Sequence, residues 1–154
     1  MSSDPYNPTL ISLTAETAIE NHYMIGGDLS SNVPSNYISF TVPANKIIKS
    51  VSCTSLEGDN VIFLAIQTGL VWSAGYELSN MLAYGQITNG EIGTNLLQTL
   101  TQPIQNPYSL LPGNYTIWIN QAGMVDVSYS LIFVLDELPV ITPTPTKTLA
   151  LTPT

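Results

Sequence analysis

The chain has 154 residues, enough for one compact domain with a core of its own. Only 9% of them are charged, against about 25% in ordinary soluble domains, while 44% are hydrophobic. Eleven acidic residues face three lysines (Lys46, Lys49 and Lys147) and no arginine, a net charge of −8 that argues against binding to nucleic acid or to anionic membrane surfaces.

Residues 1–9 carry Pro5 and Pro8 and read as an N-terminal arm. Thr9 to Thr14 alternates weakly, as a first short strand would. Thr17 to Ile25 does not decide between helix and strand, and Gly26-Gly27-Asp28 breaks the pattern before a polar turn region, Leu29 to Ser35. From there the period is two. Tyr37 to Val42 puts Ile38, Phe40 and Val42 on one face and Tyr37, Ser39 and Thr41 on the other. Pro43-Ala44-Asn45 turns the chain into a second strand, Ile47 to Leu56. Glu57-Gly58-Asp59-Asn60 is the next turn, and Val61 to Gln67 is a short apolar run expected to be a strand covered on both faces.

Leu70 to Gln105 is less regular. Met81 to Ile87 reads as an edge strand, and Thr94 as the N-cap of a short helix from Asn95 to Leu100. Pro112-Gly113 is a strong turn signal. Beyond it Tyr115, Ile117 and Ile119 form one apolar row, and Val127, Tyr129, Leu131, Phe133 and Leu135 another; the two segments read as a hairpin turning at Gln121 to Met124. Residues 140–154 include TPTPTKTLALTPT, in which proline removes donors and fixes φ; they read as a Thr/Pro-rich linker or tail. The expected architecture is therefore an antiparallel β-sandwich over residues 10–139, with at most one short helix in a middle insertion.

Three stretches resemble a known family. Gly27-Asp28-Leu29 with Asn36-Tyr37-Ile38-Ser39-Phe40-Thr41-Val42-Pro43-Ala44-Asn45, then Leu111-Pro112-Gly113-Asn114-Tyr115-Thr116-Ile117, then Tyr129-Ser130-Leu131, are similar to motifs of bacterial pre-peptidase C-terminal domains. The resemblance covers about residues 25–67 and 108–135. Asn36 stands where that family often has Asp, and Asn45 where it has Gly. The resemblance implies a jelly-roll-like accessory domain without catalysis of its own, attached to exported proteins and aiding binding or secretion.

Few residues of the chain point to catalysis. A nucleophile triad needs a histidine base, and His22 is the only histidine, with no G-x-S-x-G turn in the chain. Cys53 is the only cysteine; the expected role is a small buried hydrophobe, with Lys49 the only local cation that could activate it. Calcium is the best small-ligand candidate, through Glu57, Asp59 and Asn60 in one turn and Asp28 in another, although Asp, Asn and Gly also simply populate turns. No other cofactor is implied. For a sugar platform or a protein contact the candidates are Trp118 and Tyr37, on the polar faces of their strands, with Trp72, Tyr76 and Tyr84 from the middle segment. Trp118 could equally lie under the insertion or a neighbouring subunit. Asn114-Tyr115-Thr116 is a formal glycosylation sequon that the strand already explains.

These readings converge on a non-catalytic structural or attachment module. It is expected to act through protein–protein contacts, by self-association or on a scaffold or capsid-type assembly, in an extracellular, cell-surface or virion setting. A glycan-binding accessory module is the alternative. No secretory signal and no run long enough to span a membrane is visible in the chain.

Overall fold

The computed structural model describes residues 1–24, 35–105, 107–121 and 125–139. It is an all-β, sandwich-like fold of two sheets. The strands are β1 (Thr9–Leu10), β2 (Glu16–Met24), β3 (Ser35–Val42), β4 (Lys46–Gly58), β5 (Val61–Thr68), β6 (Ala83–Thr88), β7 (Gly113–Asn120) and β8 (Val127–Glu137). One sheet has the order β1-β3-β7-β5-β6 and the other β2-β8-β4. The Asp28 turn and the Thr/Pro tail lie outside the described residues.

The alternation read from the sequence is the alternation of the core. Ile38, Phe40 and Val42 of β3, Ile62, Leu64 and Ile66 of β5, and Tyr115, Ile117 and Ile119 of β7 belong to one buried cluster with Val51, Cys53, Val127, Tyr129, Leu131 and Phe133 of the opposite sheet. Phe133 meets Phe40 edge-on across the interior, with ring centroids 5.5 Å apart. Such apolar burial is the main force joining the layers, at about 25 cal/mol per Å² removed from water.

The expected hairpin of the last two strands is overturned. β7 pairs with β3 and β5, whereas β8 pairs with β2 and β4 in the other sheet. The two apolar rows face each other across the core instead of lying side by side. Alternation has the same appearance in both arrangements, because either one points every second side chain inward. Residues 122–124 of the turn expected at Gln121 to Met124 lie outside the described residues.

Two further expectations change. The N-terminal arm is held against the sheet: Tyr37 N donates to Ser2 O at 2.9 Å, and Thr9–Leu10 pairs in parallel with Ile38–Ser39. Its prolines leave enough backbone donors and acceptors to satisfy the open edge of β3. The short helix α1 (Leu96–Thr99) is capped by Asn95, whose side chain accepts from Leu97 N; Thr94 instead donates its hydroxyl to Glu91 O at 2.7 Å. Asn95 also accepts from Val51 N and donates to Lys49 O, so the cap residue ties the helix to β4. The undecided segment Thr17 to Ile25 is largely β2, and the edge strand is β6, as expected.

Candidate functional site

Strand register builds an aromatic row on the outer face of the five-stranded sheet. Tyr37 on β3 is paired with Trp118 on β7, Trp118 with Ala65 on β5, and Ala65 with Tyr84 on β6. The small side chain of Ala65 leaves room beside the indole, and residues 69–82 fold over it. Trp72 from that cover packs 5.4 Å from Trp118 and 6.3 Å from Tyr37. Tyr37 and Trp118 stack at 9° with centroids 6.4 Å apart. Met81, Ala74 and Phe63 complete this second, smaller core.

The cover is fastened by polar groups. Gln67 Oε1 accepts from Ser73 N at 3.0 Å and from Ala74 N at 2.7 Å. Its Nε2 donates to Thr68 O, Val71 O and Ser73 Oγ at 2.9–3.2 Å. Thr116 Oγ1 donates to Gly69 O, and Trp72 N donates to Pro5 O, which brings the N-terminal segment alongside. Neither Gln67 nor Thr116 stands out in the sequence beyond being a polar residue in a strand. The only available signal was that a buried amide must find partners.

Trp72 and Trp118 are each 3% exposed and Tyr37 is 8% exposed, so they form the floor and inner wall of a cleft and not an open platform. Burial pushes the Tyr37 hydroxyl above its ordinary range. Both indole N–H groups are used internally, Trp72 on Gly75 O and Trp118 on Ser35 Oγ. Tyr76 stands edge-on to Trp118, 5.4 Å away, and is 75% exposed; Tyr6, at 77%, lines the same cleft. The cleft encloses about 220 Å³ among Pro5, Tyr6, Tyr37, Trp72, Tyr76 and Trp118. Tyr84 stacks on Phe63 outside it. Of the five aromatics expected at a contact site, four therefore meet at one cleft, and Tyr84 packs against the same cluster without lining the cleft.

A second cleft of about 270 Å³ opens at one end of the sandwich, lined by Leu82, Ile104, Pro107, Leu110, Leu111 and Tyr115, among others. Leu82 and Leu111 are exposed on its rim. Tyr108, between two lining residues, is held at φ 58°, a backbone region costly for a bulky side chain. No sequence pattern marks this site, because most of its lining comes from the loops before β6 and before β7, which have no period; only Thr68 and Tyr115 belong to strands.

The remaining candidates have structural work. Asp59 Oδ1 accepts from Asn60 N at 2.8 Å and Oδ2 from Gln121 Nε2 at 3.1 Å, so its carboxylate organises the turn after β4. Asn60 approaches Asn89, and Glu57 is exposed beside them. Among the described residues no three His, Cys, Asp or Glu side chains gather as metal ligands would. Cys53 is fully buried, and burial pushes its thiol up; Lys49 sits in an ion pair with Asp136 at 3.3 Å. His22 lies on β2 against Tyr129, its imidazole shifted down by burial and then by the chain's N-terminal ammonium. No helix among the described residues is long and apolar enough to cross a membrane. Compared with known proteins, the chain matches no family model, no curated protein and no solved structure.

Proposed function

We propose that this chain is a non-catalytic β-sandwich attachment module that works through protein contacts, with a second copy of itself as the first partner. The observation that carries the reading is the apolar cleft at the end of the sandwich, with Leu82 and Leu111 exposed on its rim. Exposed apolar side chains gathered around a concave site favour burial against another protein surface. The partner surface is itself expected to be poor in charge, since a cleft without ionic groups offers no compensation for a desolvated ion. A chain with 9% charged residues supplies such a surface. The similarity to pre-peptidase C-terminal domains supports the same class of role, an accessory module in an extracellular, cell-surface or virion assembly.

Sedimentation velocity across a wide concentration range tests it, on the wild type and on Leu82→Asp and Leu111→Asp. Reversible association in the wild type, weakened at least about tenfold by either aspartate, is the expected result. A wild-type protein that stays monomeric at the highest concentration would remove self-association as the function.

A further inference from the structure

We infer that the aromatic cleft on the outer face of the five-stranded sheet binds an organic cation of the quaternary or methylated ammonium class. This site lies on a different part of the surface from the end cleft, and the inference does not depend on the attachment reading.

Four observations lead there. The first is the wall itself: Tyr6, Tyr37, Trp72, Tyr76 and Trp118 line one hollow, with Tyr76 at 74° to Trp118 and Trp72 tilted at 49° to it. The exposed rings of Tyr6 and Tyr76 stand over the nearly buried floor of Tyr37, Trp72 and Trp118 and make a corner with it, which suits a compact, rounded group better than a flat one. Aromatic rings attract a cation through the negative potential of their faces, and corners built from several rings are how proteins hold alkylated ammonium groups. The second is the cleft's volume of about 220 Å³, the scale of a small alkylammonium head group and well below that of an extended oligosaccharide.

The third is the hydrogen-bonding inventory. Both indole N–H donors are already committed, to Gly75 O and Ser35 Oγ. The directional donors with which a tryptophan would grip a sugar hydroxyl are thus turned away, leaving ring surface and tyrosine oxygens. A quaternary ammonium needs no hydrogen bond. The fourth is charge. Among the described residues no lysine lines the cleft, and Lys46 and Lys49 are paired with Glu137 and Asp136 on the other sheet. Asp4 and Glu77, both exposed, directly precede Pro5 and follow Tyr76 in the chain, and Tyr6 N donates to Asp4 Oδ1 at 2.9 Å. In a chain of net charge −8 these carboxylates draw cations toward the rim.

Tryptophan emission provides the test, because the chain's two tryptophans are Trp72 and Trp118, both in this cluster. The full chain is titrated with tetramethylammonium chloride and, at matched ionic strength, with sodium chloride; neopentyl alcohol serves as a neutral group of similar shape. The expected result is a saturable change with tetramethylammonium, half-saturating at a concentration at least about tenfold below that of neopentyl alcohol, and no saturable change with sodium. Tyr76→Ala and Tyr6→Ala should each weaken binding several-fold, and Tyr76→Phe should restore it. The high exposure of both tyrosines makes these variants safe for the fold. Equal affinity for the neutral and cationic probes, or no saturable response to tetramethylammonium, would overturn the inference, and neither result bears on self-association measured by sedimentation.

Discussion

Asn36 on β3 donates its side-chain Nδ2 to the hydroxyl of Tyr129 on β8 at 3.0 Å, a polar bond between the two sheets at the end of their apolar interior. Tyr129 is fully buried and Asn36 nearly so. The ring supplies apolar contact along its length, and its oxygen reaches the one inward residue of β3 that can meet it. Tyr129→Phe keeps the ring but strands a buried amide donor. It is expected to lower stability by about 1–3 kcal/mol in a denaturant melt. The double variant Asn36→Leu, Tyr129→Phe should recover part of that loss, since both polar partners are then gone. A single variant as stable as the wild type would show that the bond is not formed in solution.

The same residue sets an alkaline limit. Burial raises the pKa of Tyr129, and to a smaller degree those of Tyr115, Tyr37 and the Cys53 thiol. A raised pKa means that the folded chain holds protons that the unfolded chain has already released. Stability is therefore fully present below the unfolded values, near 9 for the thiol and 10 for tyrosine. It falls as pH climbs beyond them. Melting temperature measured from pH 7 to pH 11 should be flat at first and then decline above about pH 9–10. A flat profile to pH 11 would contradict the burial assigned to these groups.

Gly58 closes the turn between β4 and β5 at φ +93°, and a Cβ there would lie 2.0 Å from Asp126 O. The neighbouring backbone belongs to the crossing from β7 to β8, so the collision cannot be relieved by one rotamer. Gly58→Ala is expected to cost about 2–4 kcal/mol through strain and forced separation. Gly69, at φ +103° with open space around it, isolates the conformational part. Gly69→Ala should cost only about 1–2 kcal/mol. Equal losses at the two sites in parallel urea melts would refute the steric argument.

The periodic strands were legible because their chemistry is local. Ile38, Phe40 and Val42 announce an inward face whatever they later pack against, and Val61 to Gln67 is apolar enough to demand cover on both sides. What stayed hidden is the long-range pairing. Nothing in the residues of β7 says whether β8 lies beside it or across from it, since Ile117 and Leu131 point into the same interior either way. The candidate site divides along the same line. Tyr37 and Trp118 were placed on the outer face by parity alone, whereas their burial depends on a cover that begins only after Gly69. Tyr6 was missed as a cleft residue because the N-terminal segment shows no period, and it reaches the cleft through the backbone bond between Pro5 O and Trp72 N.

Cys53 should behave as a core residue toward thiol reagents. It is fully buried, its Sγ donates to Ser55 O at 3.2 Å, and Lys49, turned outward at the β-bulge between Ile48 and Ser50, is engaged by Asp136. The thiolate is the reactive form, and burial disfavours it. Labelling by an aromatic disulfide at neutral pH is expected to proceed only as fast as the protein opens, accelerating with denaturant in step with unfolding. Rapid labelling of the native protein, at the rate of a free thiol, would place Cys53 at the surface.

Gln67 decides whether the aromatic cluster exists as a unit. Its amide satisfies two backbone N–H groups of the cover and donates to three oxygens in Thr68, Val71 and Ser73, a set that no other side chain type of that size reproduces. Gln67→Leu preserves bulk while leaving the amides of Ser73 and Ala74 without their acceptor. The expected loss is about 2–4 kcal/mol, concentrated in residues 69–82, because the main core beneath the sheet is untouched. Trp72 and Trp118 would then gain water, so emission should shift to the red before the global transition and acrylamide quenching should increase. Gln67→Glu keeps the acceptor for the two amides but sets a buried carboxylate oxygen against the carbonyls of Thr68 and Val71, and should be at least as destabilising as leucine. If Gln67→Leu leaves the emission maximum and quenching unchanged, the cover is held by the packing of Trp72 and Met81 on Trp118 alone, and the amide is incidental to the site.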